Sequence, residues 1–255
     1  MLRAGLYSGL ADGYWAAGDR GKAISFFEEA ARRAPAAEMV WLQLGTACME
    51  SAQWVKAETA LRRAKALRPD DAAVLALLGW VLWQQDKAAE ARTMLEAAVK
   101  ADPDMGDARN YLGSLLMATG SVPAAEREFR EAVRINPAVA EYRAKLAALL
   151  ATRGQIAEAV YQVKASVEGD PTLAAARLLL GQLLLASGDV PGGIRELEAA
   201  IRLKPDSGRA HYELGVALAR SGKRDEGVAH LKLAAQGPEA DARAAALQVL
   251  RSLGQ

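Results

Sequence analysis

The sequence is poor in the residues that usually carry chemistry. One cysteine, Cys48, stands among 255 residues, which excludes an intramolecular disulfide and a thiolate zinc cage and leaves the compartment open. Its place on an apolar seam reads as a small core residue. The two histidines, His211 and His230, lie 19 residues apart, without the i, i+4 spacing of a helical zinc site. His211 reads as a packing residue and His230 as an outer-face residue of another helix. Charge of one sign is missing too: 32 Lys and Arg face 31 Asp and Glu, so no basic excess favours a phosphate backbone and nucleic acid is not expected as a partner. No run approaches the roughly 20 apolar residues that cross a bilayer. The start, interrupted by Arg3, Ser8 and Asp12, breaks too early for a secretory leader. A soluble chain without membrane insertion is expected. Gly188 and Pro191-Gly192-Gly193 lack the preceding strand and following Lys-Ser/Thr of a phosphate loop. With no convergent nucleophile, base or ligand set, neither catalysis, metal nor cofactor is expected.

What the sequence does have is a period. Pro35, Pro69, Pro103, Pro137, Pro171 and Pro205 follow one another at intervals of 34 residues, and Pro238 follows after 33. Between them lie two helical patterns separated by a turn, with Gly18, Gly120, Gly154, Gly188 and Gly222 in the same register. Proline lacks an amide donor and restricts the residue before it, so it ends the second helix of each unit. Asp70, Asp71, Asp104, Thr172, Asp206 or Ser207 then stands where it can cap the next. Gly45, Gly79, Gly113, Gly181 and Gly215 recur in the first helix and Ala23, Ala57, Ala91, Ala125 and Ala159 in the second, small residues that let two helices approach. Leu44, Leu78, Leu112, Leu146, Leu180 and Leu214, with Phe27, Leu61, Leu95, Phe129, Val163, Leu197 and Leu231, form an apolar seam.

The segment Trp41-Leu-Gln-Leu44-Gly45, with Ala57, Leu61, Ala64 and Pro69, resembles the tetratricopeptide repeat pattern of aromatic, Leu-Gly, Ala, large apolar, Ala and Pro. The resemblance covers seven units beginning near Ala4, Glu38, Ala72, Gly106, Ala140, Ala174 and Gly208, then a last helix from about Ala242 to Leu253. It implies a single all-α, right-handed solenoid over the whole chain, its first helices lining a concave groove. Departures are Ala147 for Gly, Ser166 for Ala, Gly193 and Gly227 for Ala, and Arg109, Arg143 and Arg177 at the first aromatic place. The fifth and sixth units are expected to be the loosest, because Gly in a helix costs about 1 kcal/mol relative to Ala.

The groove places that the resemblance implies are uneven along the chain. Trp15, Met49, Trp83 and Met117 form a ladder one unit apart, flanked by Met39, Leu42 and Trp80. The ladder suits either packing between repeats or contact with a partner; Trp80 stands where a polar groove residue is commoner. Farther along, Asp107, Asn110, Glu141, Lys145, Gln182, Arg209, Glu213 and Arg220 make the groove mixed in charge, a gradient suited to an extended peptide with an apolar end. Neither a carboxylate clamp nor an Asn ladder of this family is present; clamp places hold Ser8, Asp12, Gln43, Ala73 and Leu77. The leading expectation is a noncatalytic scaffold that binds a protein or peptide segment. A second is self-assembly end to end into an oligomer or filament through Leu2, Leu6 and Leu10 at one end and Val249 and Leu253 at the other. A third is a module of a larger enzyme or envelope protein, since the chain starts within three residues of a repeat and has no leader.

Overall fold

A computed structural model describes residues 2–254 of the chain, with side chains from residue 4. Among these residues there are fifteen α-helices and no strand. They fall into two compact units. The first, up to Ile135, holds α1 (Leu2–Ala16), α2 (Arg20–Arg33), α3 (Glu38–Glu50), α4 (Trp54–Leu67), α5 (Ala72–Trp83), α6 (Ala88–Ala101), α7 (Gly106–Ala118) and α8 (Val122–Ile135). The second, from Asn136, holds α9 (Ala140–Thr152), α10 (Ile156–Gly169), α11 (Ala174–Ala186), α12 (Val190–Leu203), α13 (Gly208–Arg220), α14 (Arg224–Gln236) and α15 (Ala240–Ser252). Each unit is an α-solenoid segment: consecutive helices pair as antiparallel hairpins, and each hairpin packs on the next within its unit. No helix among the described residues is long and apolar enough to cross a membrane.

Each periodic proline stands two residues beyond the last residue of a second helix. Side-chain caps appear at Asp19, Asp71, Asp189 and Ser207. Asp104 and Thr172 do not cap; Met105 and Leu173 hold those positions without a side-chain bond. The residue before proline acts instead, with Asp102 accepting from the Asp104 amide at 3.0 Å and Asp170 from the Thr172 amide at 2.9 Å, a local turn bond of the kind Asp favours.

The repeated proline turn is also clasped from the first helix. The Trp41 indole donates to the Pro35 carbonyl at 2.9 Å. In the places that depart from the aromatic pattern, the guanidinium groups of Arg109, Arg143 and Arg177 donate from Nε to the carbonyls of Pro103, Pro137 and Pro171 at 2.7–2.8 Å. Each reaches onward to the second helix of its own hairpin, to Glu128, Gln162 and Glu196. Trp and Arg both supply a large side chain with an N–H donor at this place, whereas the third repeat fills it with the buried, donor-free Leu75.

The seam is dry. Leu61, Leu95, Phe129, Val163, Leu197 and Leu231 are all 0% exposed. Facing glycines leave them room: a Cβ at Gly113 would come within 2.9 Å of the Phe129 ring, and one at Gly215 within 2.8 Å of Leu231 Cγ. Gly193 and Gly227 do not leave space either, because a Cβ at Gly227 would meet the Gly215 carbonyl oxygen at 2.7 Å. These two glycines lie in the sixth and seventh units rather than the fifth and sixth, and each sits against the backbone of the partner helix of its hairpin.

The hairpin turns share one backbone state. Gly18, Gly120, Gly154, Gly188 and Gly222 have φ of 73° to 89°, and in the same register Ala52 and Asp86 are held at 54° and 60°. A side chain in this left-handed region costs about 1 kcal/mol or more. Ala52→Gly is therefore expected to raise the unfolding free energy by about 1 kcal/mol, measured by urea denaturation.

Candidate functional site

Within the first unit the first helices α3, α5 and α7 pack successively on one another, while α2, α4 and α6 are joined by long ion pairs. Lys56 reaches Glu28 at 2.8 Å and Arg62 reaches Glu90 at 2.7 Å. Burial pushes the Glu58 carboxyl up, but bonds from Lys87, Arg62 and Gln85 outweigh it and hold the group at about 2. The second-helix side thereby carries charge paired from one helix to the next. The first-helix side is different: it is apolar and open.

There Trp15, Met39 and Leu42 converge on a hollow of about 270 Å³, completed by Asp12, Phe27, Gln43, Thr46, Ala47 and Glu50. Met39 is 57% exposed, and Trp15 and Leu42 are half-buried. The Arg20 guanidinium lies 3.6 Å over the Trp15 ring, a cation–π contact. On α5, Trp80 stacks on Tyr111 of α7 at 4.9 Å and meets Trp83 edge-on at 5.1 Å. Both tryptophans are half-buried. Met49 is half-buried and Met117 is 38% exposed. Asn110 is not an open contact: it is 2% exposed, at the register of Ala76, which is fully buried between α5 and its neighbours. In the second unit a separate hollow of about 350 Å³ is lined by Gln182, Leu185, Glu213, Val216 and Arg220 among others. Gln182 donates to Glu213 at 2.9 Å, and Arg209 pairs with the same carboxylate at 2.8 Å.

The proposed end residues divide. Leu6 is 64% and Leu10 42% exposed on α1; Leu2 lies outside the described side chains. Val249 and Leu253 do not face outward as expected. They pack on the cluster of Val228, Leu231, Ala234, Ala246 and Leu250, because α15 docks by that stripe on α13 and α14, and Leu247, 42% exposed, is the outward residue.

Titratable groups are brought together at one further place. His230 is not on the outer face. It stacks on His211 with Nδ1 atoms 2.9 Å apart, and His211 Nε2 lies 3.1 Å from the Pro205 carbonyl. The carbonyl accepts, so Nε2 of His211 carries the proton and its Nδ1 accepts from His230 Nδ1–H, an assignment made from the bonding geometry. The pair occupies the Arg–Glu clasp position of other repeats. Burial first, then the proximity of His211, lowers the His230 pKa from 6.5, against the raising influence of Glu198 and Glu226. A base whose folded pKa lies below its unfolded value adds stability above the unfolded pKa, and that contribution is lost as pH falls through the folded one. The unfolding midpoint of this unit should therefore drop as pH falls below about 6.5. His211→Arg with His230→Glu, which rebuilds the Arg177–Glu196 arrangement, should remove that drop in denaturation series at several pH values.

Among the described residues no group of three or more His, Cys, Asp and Glu could hold a metal ion. Cys48 is buried, and burial pushes its thiol up to about 11, which makes it a poor nucleophile.

Comparison with known proteins places this geometry. The family model of the cilia and flagella-associated protein 70 C-terminal domain, a tetratricopeptide repeat region, matches residues 2–176, and a tetratricopeptide repeat model matches residues 178–245. No curated protein matches the sequence. Among solved structures, YrrB, described as a tetratricopeptide repeat protein with an unusual peptide-binding site, is 20% identical with a TM-score of 0.58, covering 75% of this chain and 98% of its own. Cut9, in the APC/C hetero-tetramer Cut9–Hcn1, is 12% identical with a TM-score of 0.82, covering 94% of this chain and 48% of its own. PilF of Pseudomonas aeruginosa is 16% identical with a TM-score of 0.74, covering 84% of this chain and 96% of its own. At these identities the likeness is one of fold.

Proposed function

Because the chain belongs to the tetratricopeptide repeat family, we propose that it is a noncatalytic scaffold that binds a protein or peptide segment on the first-helix side of its first unit. The observation that carries this reading is the convergence of Trp15, Met39 and Leu42 on one open hollow, with the Trp80–Trp83–Tyr111 cluster on neighbouring first helices. Large aromatic side chains beside a pocket are the usual anchors of protein interfaces. The peptide-binding site described for YrrB supports the class of ligand. The test is selection from a random-peptide display library on the chain and on the Trp15→Ala/Trp80→Ala variant. Peptides retained by the first and lost by the second are expected. Equal retention by both, or no selection by either, contradicts the reading.

One observation favours a second reading, self-association through α1. Leu10 is 42% exposed, whereas its register equivalents Leu44, Leu78, Leu112, Leu146, Leu180 and Leu214 are 6% exposed or less. A helix packed against α1 from a second copy would cover Leu6 and Leu10. Light scattering at high micromolar concentration, with Leu6→Glu/Leu10→Glu as the control, tests it. A monomer at that concentration contradicts this reading.

A further inference from the structure

We infer that the segment held by the first unit is basic as well as apolar: one large apolar side chain enters the hollow between α1 and α3, and Lys or Arg residues beside it meet Asp12 and Glu50. The inference rests on the proposed binding face and specifies its ligand.

The argument starts from which charges the first helices carry. Along α1, α3, α5 and α7 the carboxylates are Asp12, Glu38, Glu50 and Asp107, and the basic residues are Arg3 and Arg109. Arg3 lies outside the described side chains. Arg109 is committed to the Pro103 carbonyl and to Glu128. Glu38 is turned toward Arg68, 3.5 Å away. The helix α5, which carries Trp80 and Trp83, has no charged residue at all.

Asp12 and Glu50 are the two charged residues among those lining the hollow. Both are exposed, and neither forms an ion pair among the described residues. No basic residue lines the hollow; the nearby Arg20 guanidinium is engaged over the Trp15 ring. This contrasts with the second-helix side, where Glu28, Glu58 and Glu90 are matched by Lys56, Arg62 and Lys87. An apolar floor of Trp15, Phe27, Met39, Leu42 and Ala47 takes an apolar anchor. Two unmatched carboxylates on its margin attract a cation and disfavour an anion, so they select the neighbours of that anchor.

The test uses three fluorescent synthetic peptides of equal length, built from Lys and Leu, from Glu and Leu, and from Lys and Ser, titrated by anisotropy against the full chain and against Asp12→Asn/Glu50→Gln. Both substituted residues are exposed, and unchanged circular dichroism confirms the fold of the variant. The Lys/Leu peptide is expected to bind best. The double substitution is expected to weaken it about fivefold to tenfold at low salt, as for two solvent-exposed pairs, with the difference shrinking as salt is raised. If the Glu/Leu peptide binds as well, or the double variant leaves the Lys/Leu affinity unchanged, the inference fails while the binding face stands. If the Lys/Ser peptide matches Lys/Leu, the apolar anchor is wrong and the inference fails. If none of the three binds while library selection succeeds, the inference again fails alone; if both experiments are blank, the binding face falls with it.

Discussion

Phe129→Ala is expected to lower the unfolding free energy by about 3 to 5 kcal/mol, the largest stability effect foreseen for a single substitution in this chain. Phe129 is 0% exposed, and its ring fills the space where Gly113 has no side chain. Removing the ring leaves a cavity between α7 and α8. The backbones of these helices are set by their own hydrogen bonds and by the Arg109 clasp to Pro103 and Glu128, so the walls cannot close on the void. Denaturation followed by circular dichroism measures the loss. Val55→Ala, at a side chain 71% exposed, should change stability by no more than about 0.5 kcal/mol and serves as the control.

Trp80→Ala separates packing from binding. If Trp80 is an anchor, its truncation should cost roughly 2 kcal/mol or more of affinity for a peptide selected on the chain, about thirtyfold in Kd. Its ring stacks on Tyr111 and meets Trp83, so some stability is lost as well, but less than for Phe129→Ala because Trp80 is only half-buried. Affinity unchanged beside a midpoint as low as that of Phe129→Ala would assign Trp80 to the core.

The helix ends were legible because proline acts locally: its missing N–H and the restriction on its predecessor depend on chain sequence alone. The register of Trp15, Met39 and Leu42 was legible for a related reason, since a fixed period carries each side chain to the same side of its helix. What was not legible depends on partners far along the chain. Arg109, Arg143 and Arg177 depart from the aromatic pattern, and nothing local reveals that their guanidinium groups donate to a proline carbonyl six residues back. His211 and His230 are separated by 19 residues and meet only because the hairpin closes; the Arg–Glu spacing in neighbouring repeats was the signal that could have found them. Asn110 shares its repeat place with Leu42 and Ala76, and the period does not tell that this place is half-buried at Leu42 but closed over at Ala76 and Asn110. Val249 and Leu253 pack inward, and a short apolar helix does not state which of its two adjacent stripes will dock.

Radical footprinting of the chain with and without a selected peptide tests the central claim most directly, because it reads side chains in place. Met39, Trp15 and Trp80 on the first-helix side should be protected by the peptide, while Tyr161, 66% exposed on α10, should oxidise at an unchanged rate. Protection of Tyr161 with Met39, Trp15 and Trp80 unaffected would contradict the account.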